Sequence, residues 1–166
     1  MLYATEQLRA RLRLSNLGLF EPSGQDGRVC QYLAIIDQLK LNGAHAEPRT
    51  SDAYELESDM IEWLDAHAAD VTGVNAVRGD EAELTLLRDC WTDLDFLALR
   101  RRTAWGDHCS LSSVLSMLGE RGICAQAYVY DFRGEEYDSL IHAPEIYGVV
   151  PTMTLKLAFV GSRGCM

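Results

Sequence analysis

Residues 123–142, ICAQAYVYDFRGEEYDSLIH, decide how the chain is built. Upstream of them apolar residues recur every three or four positions. From Ile123 they alternate with polar residues at every second position, the period of a half-buried strand. The turn-forming run DFRG (131–134) divides the segment, so it predicts a hairpin. Further on, TMTLKLAF (152–159) puts Met153, Leu155, Leu157 and Phe159 on one face and adds a third strand.

Upstream the period is helical throughout. Residues 3–14 carry Ala4, Leu8 and Leu12 on one side, and the loop SNLGLFEPSGQDG follows. A second helix starts near Arg28, turns Val29, Leu33 and Ile36 inward, and stops at Asn42-Gly43, where the glycine supplies a left-handed cap. The third, TSDAYELESDMIEWLDAHAAD (50–70), places Leu56, Met60, Trp63, Leu64 and His67 on one arc. A fourth opens at Asp80 with Glu83 three residues later, faces inward with Leu84, Leu87, Trp91 and Leu94, and ends among Arg100, Arg101 and Arg102. Asp107 caps a short fifth helix whose inward face is Leu111, Val114, Leu115 and Leu118. Helices first and strands last predict an α+β fold: a helical part over about 1–120 packed with a small antiparallel sheet of about three strands over about 121–166. At 166 residues, with no linker and no repeat, a single domain over 1–166 is expected.

The net charge of −10 is concentrated in one segment. Between Asp52 and Asp95 lie thirteen acids and two bases, a charge of −11; the twelve acids and thirteen bases elsewhere leave +1. On the third helix Asp52, Glu55, Asp59 and Glu62 descend opposite the apolar arc, and Asp89 and Asp93 extend the stripe onto the fourth. The plain account is a solvated face that keeps the protein soluble. The functional account is a negative patch that steers and orients a basic partner protein.

Other chemistries find less to work with. No CxxC or HxxxH pair preorganises a metal, and no glycine-rich loop joins a strand to a helix to cradle phosphate, so no cofactor is expected. The basic runs RARLR (9–13) and LRRRT (99–103) read as a helix face and a helix end, and the overall negative charge opposes direct nucleic-acid binding. No run approaches the roughly 18 to 20 apolar residues of a membrane span. The N-terminal MLYATEQLRARLRLSN is broken by arginines, unlike a secretory signal. Five scattered cysteines (Cys30, Cys90, Cys109, Cys124, Cys165) suit buried thiols in a reducing compartment, so a cytoplasmic protein is expected.

Cys109 is the candidate nucleophile. It sits beside His108 at a helix start, where the dipole and a neighbouring imidazolium favour thiolate. The run DHCSLSSVLSMLGERG, followed by strands and by His142, resembles in outline the order of papain-like cysteine hydrolases, which implies Cys109 as nucleophile and His142 as base. The chain departs from that pattern in two ways. It has no Asp, Asn, Glu or Gln after Glu145 to orient the histidine, leaving only upstream carboxylates such as Asp131 or Asp138. It also lacks a glutamine shortly before the cysteine to serve as an oxyanion donor. Equally, Cys109 reads as a small buried hydrophobe on a serine-rich helix face with Ser112, Ser113 and Ser116. The leading expectation is therefore a non-enzymatic acidic inhibitor, similar as a class to immunity proteins, antitoxins or phage anti-defence proteins. A small cysteine hydrolase or transferase, and an assembly or scaffold subunit, are the alternatives. An exposed strand edge would compete with the helices as the interface.

Overall fold

The strand segment is the best point of entry to the architecture. In the computed structural model, which describes residues 2–19, 27–44, 50–66, 101, 106–132, 138–141 and 150–160, β1 spans Ala125–Phe132, β2 Ser139–Ile141 and β3 Met153–Val160. The hairpin is present: β1 and β2 pair antiparallel, with Ala127 opposite Ile141 and Val129 opposite Ser139. The third strand departs from the expected antiparallel sheet. β3 runs parallel to β1 along its whole length, from Ala125 opposite Met153 to Phe132 opposite Val160, so the sheet is mixed with the order β2-β1-β3.

The central place of β1 in that order has its reason in β1 itself. Its odd-numbered residues, Ala125, Ala127 and Val129, are buried in the main core. Its even-numbered residue Tyr130 packs on the opposite face with Leu8, Leu12 and Ala158. A strand covered on both faces belongs in the interior of a sheet. The three-residue β2 fills one side of it, and the eight residues of β3 match the eight of β1 on the other. Thr152 and Met153 start that match by donating their N–H groups to the Cys124 carbonyl. On the far side of β3 the Lys156 N–H donates to Gln38 Oε1 at 2.9 Å, which closes part of that edge to strand addition.

Among the described residues four α-helices accompany the sheet: α1 (Leu2–Leu14), α2 (Cys30–Leu41), α3 (Thr50–Ala66) and α4 (His108–Glu120). α1 covers the even face of the sheet through Leu8 and Leu12. The main core lies on the odd face, where Tyr32, Ile35, Ile36 and Leu39 of α2, Met60 and Leu64 of α3, and Leu111, Val114 and Leu115 of α4 meet Leu155 and Leu157. Met153 and Phe159 also pack there, as their alternation predicts. The expected fourth helix, 80–98, and His67 lie outside the described residues.

Three of the helices end in the same way. Leu17 N–H bonds the Leu12 carbonyl, Ala44 that of Leu39, and Ile123 that of Leu118, each beside a bond from the preceding residue to the carbonyl three residues before it. This is the Schellman arrangement, and it requires a left-handed residue just past the helix. Asn16, Gly43 and Gly122 take that position with φ of 57°, 77° and 88°. The accompanying apolar contact is supplied each time by the residue that follows, Leu17, Ala44 or Ile123, packed into the same cluster as its partner.

The cysteines correct one expectation. Cys109 and Cys124 are thiols, but Cys30, the first residue of α2, is disulfide-bonded. The all-thiol reading of the cysteine pattern therefore fails at Cys30.

Gly122 offers a test of the cap free of steric complication, because a Cβ there would meet nothing within 4 Å. Gly122→Ala should cost about 1 kcal/mol from the left-handed backbone alone. A fall in Tm of roughly 2–4 °C is expected by calorimetry. An unchanged Tm would show that the cap does not constrain the junction of α4 and β1.

Candidate functional site

α3 separates its acids into three environments. Its buried side is Ala53, Glu57, Met60 and Leu64, the i, i+4, i+7, i+11 spacing of one helix face. Glu55 and Glu62 point the other way and are exposed, with Asp65 exposed at the flank. Asp52 is half-buried. Asp59 is ion-paired to Arg121 at the end of α4, Oδ2 to Nη1 at 2.7 Å, with both side chains about half exposed (44% and 50%). One turn further, the Trp63 indole N–H donates to Glu120 of α4. Of the stripe expected as Asp52, Glu55, Asp59 and Glu62, Glu55 and Glu62 are exposed, Asp52 is half-buried, and Asp59 is answered from within the molecule by Arg121. The fully exposed acids of α3 that no described residue pairs are Glu55 and Glu62. Asp89 and Asp93 lie outside the described residues.

Among the described acids of α3, Glu57 is the one the fold encloses. Its side chain is 1% exposed and ion-paired with Arg28, itself 16% exposed, in the short 3-10 turn Gly27–Val29 that leads into α2. The Arg28 guanidinium also lies 5.8 Å from the centre of the Tyr54 ring. Glu57 Oε1 has no hydrogen-bond partner among the described residues. The sequence did carry a signal: position 57 falls on the face defined by Ala53, Met60 and Leu64, where an acid must be paired to be tolerated. Nothing in the sequence identified Arg28 as its partner.

Beside this pair the starts of α2 and α4 are stitched together. Asp107 caps α4, accepting the Ser110 N–H at 2.8 Å, while Ser110 Oγ accepts the Asp107 N–H at 2.8 Å. Ser110 Oγ lies 2.6 Å from Gln31 Oε1, and Gln31 Nε2 donates to the Asp107 carbonyl at 2.9 Å. Gln31 and Ser110 are both buried and both satisfied. The approach is so close that a Cβ on Gly106 would stand 2.6 Å from the Cβ, Cδ and Oε1 of Gln31, so glycine is required there. Tyr32 completes the cluster. Burial pushes its phenol well above the ordinary value of 10.0, and the charges of Glu57 and Asp107 push it further; Arg28 and a hydrogen bond with Ser110 pull it down. Its hydroxyl stays protonated at neutral pH.

The surroundings of Cys109 favour packing over catalysis. Its side chain is half-buried against the main core. The helix end that would stabilise a thiolate is already answered by the Asp107 carboxylate, whose negative charge opposes a second anion there. Ser113 and Ser116 are buried and return their hydroxyls to the carbonyls of Cys109 and Ser112, four residues back, both at 2.7 Å. His142 and the Asp131 side chain lie outside the described residues. Asp138, the other carboxylate available to orient His142, is engaged on the even face of the sheet by Arg11 at 2.8 Å and by the Tyr128 hydroxyl at 3.3 Å. Among the described residues no three His, Cys, Asp or Glu converge as a metal site, and no helix is long and apolar enough to cross a membrane.

Two predictions follow from the buried cluster. Glu57→Leu alone leaves Arg28 without its counter-charge and should destabilise the fold by about 3 kcal/mol, whereas adding Arg28→Met should recover much of that loss. Chemical denaturation of the single and double variants measures it; additive losses would mean that the two side chains are not coupled. For Tyr32 the folded value is raised, so the proton is held more tightly in the folded state. Its stabilising effect is complete below pH 10 and is lost as the pH rises beyond it. Tyr32→Phe should therefore flatten the alkaline limb of the Tm-against-pH curve, and identical limbs in the two proteins would refute this.

No family model, no curated protein and no solved structure matches this chain.

Proposed function

We propose that the protein is a non-enzymatic binding protein that sets the acidic outer face of α3 against a basic surface of a partner protein, in the manner of an inhibitor that puts carboxylates where phosphates would otherwise sit. The observation that carries this is the exposure of Glu55 and Glu62 on a helix whose opposite side is fixed in the core. A helix anchored in this way offers its charges without first having to order itself, which lowers the cost of association. The concentration of the chain's acidity between Asp52 and Asp95 makes the local field stronger than the net charge alone suggests. A cytoplasmic setting accords with the reduced Cys109 and Cys124, while the Cys30 disulfide is the feature that a reducing compartment would oppose.

Asp59 is a poor position for charge reversal, because a lysine there would face Arg121 and disturb the contact between α3 and α4. The informative variant is Glu55→Lys and Glu62→Lys combined. In affinity capture from the host lysate at low salt, the wild-type protein should retain a basic partner that high salt releases. The variant should lose it, and against the purified partner its association should slow by about tenfold or more. Retention by the variant at low salt, or no basic partner for the wild type, overturns the proposal.

The alternative of a cysteine hydrolase makes a contrary demand on Cys109. Iodoacetamide at pH 6 should label Cys109 of the folded protein no faster than Cys124, as read by peptide mass spectrometry. Selective, rapid labelling of Cys109 would instead favour the enzyme.

A further inference from the structure

We draw no further inference here: the strongest candidate, the enclosed carboxylate oxygen Glu57 Oε1 in the polar cluster where α2, α3 and α4 meet, belongs to the ion-paired site already described, and nothing in the structure shows what would occupy the space beside it.

Discussion

A strand that carries packing on both faces constrains everything placed around it, and β1 is such a strand, buried on its odd face and partly covered on its even face. Ala125, Ala127 and Val129 need a cover on one side and Tyr130 needs one on the other. Two layers of helix answer those needs, α1 on the even face and α2, α3 and α4 on the odd face. Small residues at 125 and 127 let the odd-face layer come close, and large ones there would hold α2 and α4 away from the sheet. A central strand also needs a hydrogen-bonding neighbour on each edge, and among the described residues β3 is the one that matches its length. The covered faces thus account for β1 lying between two strands, and the direction of β3 is a separate feature of the sheet.

The periods of the sequence locate the elements well and their partners poorly, and the difference has a physical basis. Alternation at Met153, Leu155, Leu157 and Phe159 reports that one face of β3 is covered, which is correct. It says nothing about direction, because parallel and antiparallel neighbours present the same alternation to a core. Caps are legible for the same local reason that faces are: Asp107 and Gly43 act within a few residues of themselves. Asn16 serves as a cap in a loop rich in turn formers that did not distinguish it from its neighbours. The contacts that shape the candidate site span much larger separations, with Arg28 reaching Glu57 and Gln31 reaching Asp107 and Ser110. A periodic pattern cannot encode such pairs, since each partner is chosen by the packing of a whole helix.

Charge shows the same limit more sharply. Glu55, Glu57 and Asp59 stand within five residues of one another and look interchangeable as a run of acids. The helix sends the first to solvent, the second into the core against Arg28, and the third to a surface pair with Arg121. Their energetic consequences differ accordingly. An exposed pair such as Asp59 with Arg121 contributes about 0–1 kcal/mol and weakens with salt. The enclosed pair is costly to form and more costly to break, so it serves chiefly to reject arrangements in which α3 is rotated or shifted against the turn before α2.

That division bears on what the protein can do. An acidic face is useful for recognition only if its own helix does not rotate to bury the charges or collapse them onto nearby bases. Glu57 and Arg28 hold α3 in one rotational setting, and Met60 and Leu64 hold it against the core. With that setting fixed, Glu55 and Glu62 have no route to the interior, and Arg121 is already engaged by Asp59. Among the described residues their charge is therefore left to solvent. The same logic runs against Cys109, where the cap, the buried serines and the apolar contacts all use the helix start for structure. The enclosed acid and the exposed acids on α3 are two parts of one arrangement, in which a single buried charge keeps the others outside.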